Sequence, residues 1–298
     1  MAVVKKAKGG FTMKKKKRKE DDEEAPAAPV AKFSLPKDRS EPDSDIGGYT
    51  WLIFGEKKIG KTSLTAQMGM VLHAFTEPGG KALRLYPVVV DSWRTFRKML
   101  RKLKNDTKFD TVVIDIADKL YPMCDDYVCE KLVITDLSQE DWGKGWREMR
   151  KEFEREIGEL LNLGKGVVFI SHAMEQEIET RDGAKYNRIV PTMHRRMRDL
   201  IEGSVDIWAY YTYDRHRRVL QILGDDHVSA GHRLEGRFLT PDGKPLRRID
   251  MGSSAKQAYK NIVDAFNNEF IPRKDSDVDD PEQEAPVKKK KKFKLRSK

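Results

Sequence analysis

The sequence predicts an α/β fold, a mostly parallel sheet with helices on both faces, carried between two charged tails. Three observations predict it. Short β-branched runs alternate with amphipathic segments over residues 46–270. A turn with glycines at Gly55 and Gly60 joins one such run to a helical segment. Residues 1–45 and 271–298 are dominated by charge and hold few large apolar side chains, a composition that predicts disorder.

In chain order, strands are predicted at Tyr49–Phe54, Met70–Phe75, Pro87–Val90, Thr111–Asp115, Gly166–Ser171, Val205–Thr212 and Val219–Leu223. Helices are predicted at Lys61–Gln67, Trp93–Leu103, Trp142–Leu163, Met193–Glu202 and Lys256–Asn267. In the segment from Trp142, apolar residues fall at Trp142, Trp146, Met149, Phe153, Ile157, Leu160 and Leu161, a spacing of one buried stripe. The runs 231–236 and 241–245 read as loops.

The formal net charge is +10, of which +7 belongs to the two tails, so the folded part is only mildly basic. The runs at 14–19 and 288–292 are tethered polycations suited to phosphate backbones, or to solubility, and each adjoins an acidic run. Cys124 and Cys129, the only cysteines, have no second pair and do not form a zinc pattern. No apolar run reaches the length of a membrane span and no signal peptide is visible, so a soluble cytoplasmic protein with no membrane partner is expected.

The chemistry is concentrated at Gly55-Glu56-Lys57-Lys58-Ile59-Gly60-Lys61-Thr62, followed by Ser63. This is the GxxxxGK[ST] pattern of a phosphate-binding P-loop, with backbone N–H groups wrapped around phosphate oxygens. Lys61 then reaches the β- and γ-phosphates of ATP, and the Thr62 hydroxyl ligates Mg²⁺. Lys57 and Lys58 either touch phosphates or stay solvated. The run from Phe109 ends on Asp115, the position of a carboxylate on the metal side. Glu77 follows the second strand, where it either activates the attacking water or opens a turn. His172 ends a later strand, where it either senses the γ-phosphate or is simply hydrogen-bonded.

Together these segments resemble the RecA-like P-loop ATPases encoded by phages, which serve recombination modules together with single-strand-binding protein. The likeness spans residues 48–239 and rests on the motifs at 55–63, 76–80 (Thr-Glu-Pro-Gly-Gly), 112–115 (Val-Val-Ile-Asp), 127–130, 143–146 and 171–172. It implies that Glu77 is the water-activating base and that His172 holds the γ-phosphate sensor position. It further implies that residues 173–191 form a loop approaching single-stranded DNA, with Arg181, Lys185, Tyr186 and Arg188 as DNA contacts. The resemblance also implies a basic residue from a neighbouring subunit that completes the site in a homo-oligomer, with a ring, a short oligomer and a monomer all left open. Arg215, Arg217, Arg218, Arg233 and Arg237 stay open as that residue. No separate N-terminal oligomerisation domain is expected, and the lysine-rich tails lie outside the family core. The alternative to an ATPase acting on single-stranded DNA is a non-catalytic ATP-binding module that tethers nucleic acid or a protein partner.

Overall fold

The computed structural model describes residues 35–272. The disorder expected of the tails therefore falls mainly on residues 1–34 and 273–298, outside the described ones. Residues 35–42 are exposed and carry no regular element. The compact unit begins at Asp43.

Its centre is a parallel run of six strands, β1 (Thr50–Gly55), β2 (Val71–Phe75), β3 (Tyr86–Val89), β4 (Thr111–Asp115), β5 (Gly166–Glu179) and β7 (Ile207–Asp214). Their spatial order is β7-β1-β5-β4-β2-β3. Two antiparallel strands, β8 (Arg217–Gln221) and β10 (Arg248–Asp250), extend the sheet beyond β7. The central strands are buried on both faces, which is why they read as unbroken apolar runs.

The two-residue period of a strand divides those runs between two cores. Leu52 and Phe54 of β1 face a core built with α2 (Trp93–Leu103), α3 (Leu120–Leu132), α4 (Lys144–Leu161) and α5 (Arg195–Ser204). Trp51 and Ile53 face the other, built with α1 (Lys61–Thr65) and α6 (Ala255–Phe266). Side-chain caps start two of these helices where the sequence offers serine: Ser92 accepts from Thr95 N at α2, and Ser254 accepts from Gln257 N at α6.

Several expectations change. The predicted helix from Trp142 starts at Lys144, because Trp142 sits in a left-handed turn (φ 55°) outside it. Trp142 thereby leaves the core stripe, and Trp146, although inside the helix, is exposed, so the stripe begins at Met149. Helix α3 was not expected; its Pro122 lies in the first turn, where no intrahelical N–H is needed. Residues 173–191 are a β-ribbon rather than a loop: β5 runs on to Glu179 and pairs antiparallel with β6 (Lys185–Pro191). Its turn is closed by Thr180 N donating to Ala184 O at 2.8 Å, with Gly183 left-handed at φ 84°. Within 231–236, Gly231–His232 forms the short strand β9 against β7.

Candidate functional site

Parallel strands bring their carboxyl ends to one edge, and that edge gathers the predicted residues. At the end of β1, Gly55 pairs with His172 of β5 on one side and with Tyr211 of β7 on the other. A Cβ on Gly55 would collide with the Tyr211 carbonyl oxygen, so the first glycine of the motif is required by the sheet itself. Gly60 is left-handed (φ 111°) and turns the chain into α1, which is shorter than expected, ending at Thr65.

Lys61 is almost fully buried, and its Nζ donates to Gly55 O at 2.9 Å and Glu56 O at 2.7 Å. Burial pushes its pKa down to about 8, against the opposing pull of Asp115, Asp118 and Glu56. Thr62 Oγ1 donates to Asp115 Oδ2 at 2.6 Å. Burial raises the Asp115 pKa, while the Thr62 hydrogen bond and the Lys61 charge hold it down.

Lys58, Gly60, Lys61, Thr62, Ser63, Glu77, Asp115 and His172 line one cleft of about 290 Å³. Three residues of the motif do not reach it with their side chains. Ile59 is buried in the core beneath, the Glu56 carboxylate accepts from Thr212 Oγ1 at 3.1 Å, and Lys57 is exposed away from the lining. Their backbone is left to meet a ligand, and the charge of the exposed Lys57 still acts on His172 at the cleft.

Glu77 is placed by its neighbour. Thr76 N donates to Asp115 O (2.9 Å), Thr76 Oγ1 donates to Ile116 O (2.6 Å), and Ile116 N donates back to that hydroxyl (3.0 Å). This clamp ties the end of β2 to the end of β4, and the exposed Glu77 follows it at the cleft. His172 has a buried Nδ1 without a hydrogen-bond partner among the described residues, and burial, then the Lys61 charge, lowers its pKa. Beside it, Asp118 Oδ1 accepts from both Ser171 Oγ (2.9 Å) and Thr192 Oγ1 (2.7 Å). One carboxylate, three residues beyond Asp115, thus joins the root of the β5–β6 ribbon to the nucleotide edge. Thr76 opens the Thr-Glu-Pro-Gly-Gly motif, but nothing in that motif announces its clamp, and Asp118 belongs to no motif.

The hard oxygen donors Thr62 and Asp115 suit Mg²⁺, which is held by one or two carboxylates together with phosphate oxygens. No cluster of three or more His, Cys, Asp or Glu fit to hold a metal alone occurs among the described residues.

The four expected DNA contacts do not share a face. The β5–β6 register puts Lys185 opposite Glu179, with Glu175 and Glu177 on the same side, and Lys185 Nζ is paired to Glu177 at 2.8 Å. Tyr186 and Arg188 point to the other side, opposite Ile178 and Gln176, and Arg181 is at the tip. Of the five open arginines, Arg215, Arg217 and Arg218 emerge with the β7–β8 hairpin at the P-loop edge. Arg233 lies at the opposite edge, by Asp206, and Arg237 is stacked on Phe266 at 4.2 Å.

Residues 48–234 match the family model of the AAA domain. The chain belongs to the AAA domain family. This AAA protein is 27% identical over 203 residues to the SPbeta prophage-derived uncharacterized protein YorG of Bacillus subtilis (strain 168), a match covering 65% of this chain. The chain spans 60% of the length of that relative. Among solved structures it is similar to the RadB recombinase, with a TM-score of 0.36 and 14% identity over 59% of this chain and 80% of that one. The AAA protein's own sheet, with β5 inserted between the P-loop strand β1 and the Asp115 strand β4, is the mostly parallel sheet with helices on both faces that the sequence predicts. No helix among the described residues is long and apolar enough to cross a membrane.

Proposed function

We propose that the protein binds Mg-ATP on the P-loop, hydrolyses it, and uses the cycle on single-stranded DNA in phage recombination or replication. The observation that carries the ATPase reading is that Lys61, Thr62, Asp115, Glu77 and His172 line a single cleft at the carboxyl edge of the sheet.

On this reading the triphosphate replaces the two carbonyls that now hold the Lys61 ammonium, and Lys61 neutralises charge developing on the transferred phosphoryl group. Thr62 and Asp115 would hold Mg²⁺, which would supply charge stabilisation there. The Glu77 carboxylate takes the proton of the water that attacks the γ-phosphorus, and the bond to the β–γ bridging oxygen breaks. His172 reports the γ-phosphate to the ribbon through the β5 backbone and the Asp118 bonds. The DNA reading is supported by the resemblance and by the basic tails. Single-strand-binding protein and further copies of this chain are the partners that reading implies.

The test is the steady-state ATPase rate with Mg²⁺, with and without single-stranded DNA, for native protein and Glu77→Gln. Turnover that DNA stimulates and Glu77→Gln lowers about 100-fold or more is expected. ATP bound but never turned over would favour the non-catalytic module instead.

A further inference from the structure

Helix α4 departs from its own pattern at its first turn. Met149, Phe153, Ile157 and Leu160 are buried, yet Trp146 is 37% exposed and Trp142, just before the helix, is 100% exposed. Trp146 borders a cleft of about 550 Å³ between α3, α4 and α5, with Tyr121, Phe153 and Leu200 supplying apolar walls. That volume is in the range of ligand-binding clefts.

The charges around it are not balanced. Arg150 is neutralised by Glu154 at 2.6 Å, and Asp199 stands 3.9 Å from Arg195. Arg147 and Arg196, which also line the cleft, have no carboxylate partner among the described residues. Arg196 holds its guanidinium 5.3 Å from the centre of the Trp146 ring. An accessible indole, apolar walls and two unneutralised guanidiniums match a ligand that alternates flat aromatic faces with phosphates.

We propose that this cleft is the surface that takes single-stranded nucleic acid, with a base stacked on Trp146 and backbone phosphates on Arg147 and Arg196. The inference rests on the DNA reading above and moves its contact surface away from the ribbon. There, Lys185 is committed to Glu177, and Glu175 and Glu179 repel phosphate on the same face. The cleft is also wired to the nucleotide edge. Tyr121 lies three residues after Asp118 and stacks on His194 at 4.0 Å, while His194 lies two residues after Thr192, the other partner of Asp118. A strand seated in the cleft therefore presses on both segments that the Asp118 carboxylate joins.

The experiment compares, by fluorescence anisotropy on the full-length chain, oligo(dT) of about 20 nucleotides with an abasic oligomer of equal length, since stacking needs the base and lysine-rich tails do not. Native protein is expected to prefer oligo(dT) about tenfold, Trp146→Ala to lose that preference, and Trp146→Phe to retain most of it. Arg147→Gln with Arg196→Gln should weaken both oligomers and flatten the log–log salt slope by about 1.4, and Lys185→Gln should change neither. Unaltered circular dichroism and ATP affinity identify the folded variants. If native protein prefers oligo(dT) and Trp146→Ala keeps the preference, the cleft is wrong while the DNA reading stands. Equal native affinity for the two oligomers overturns the stacked base, and no binding of either at low salt overturns the DNA reading and the cleft with it.

Discussion

The two halves of β5 are one strand in two environments. Residues 166–171 lie between β1 and β4 and are buried throughout, whereas residues 173–179 leave the sheet, pair only with β6 and carry a glutamate at every second position. The change falls where the neighbours stop: β4 ends opposite Ile170 and β1 ends opposite His172. While a strand has partners on both sides, apolar residues are the stable filling of both faces. Once they end, its backbone and side chains become available to a ligand. The candidate sensor His172 sits at that junction, and Asp118 fastens it.

The comparison breaks first if its halves tolerate truncation equally. Phe169→Ala, in the buried half, should cost about 3–5 kcal/mol in denaturant unfolding. Asp118→Ala strips the acceptor from two hydroxyls at the junction and should cost about 1–3 kcal/mol, read as a lowered Tm.

The junction's chemistry should show a pH signature of intermediate size. The Lys61 pKa of about 8 in the free protein leaves the ammonium mostly protonated at pH 7 and mostly neutral at pH 9. A bound triphosphate favours the protonated form, so ATP affinity is full below pH 8 and falls as pH rises through it. The Kd measured by calorimetry should rise roughly tenfold between pH 7 and 9. Smallest of all, Glu177→Ala removes an exposed ion pair from the ribbon and should shift stability by no more than about 0.5 kcal/mol.

What was legible in the sequence follows the same division. Strand Thr111–Asp115 and helix Trp93–Leu103 were bounded correctly because one is an apolar run and the other a clean stripe with a serine cap. The ribbon was missed because its strands are polar on the exposed face and give no apolar run. Helix α3 was missed because Pro122 and the acids Asp125 and Asp126 blur its stripe of Leu120, Tyr121, Cys124 and Val128. Trp142 and Trp146 have the spacing of core residues, but spacing fixes only which side chains align, and burial depends on what packs opposite. At the site, the P-loop and Asp115 declare themselves by local pattern. Thr76 and Asp118 acquire their place only through bonds to residues 40, 53 and 74 positions away.

Gly55 carries a consequence for how such motifs tolerate drift. Because the Tyr211 carbonyl occupies the space where a side chain would begin, even alanine at this position would wedge β1 away from β7 before any nucleotide arrives. The first letter of a signature associated with phosphate recognition is thus enforced here by the seam between two neighbouring strands. A lineage that lost ATP binding altogether would still be held to glycine at this position for as long as it kept the seam.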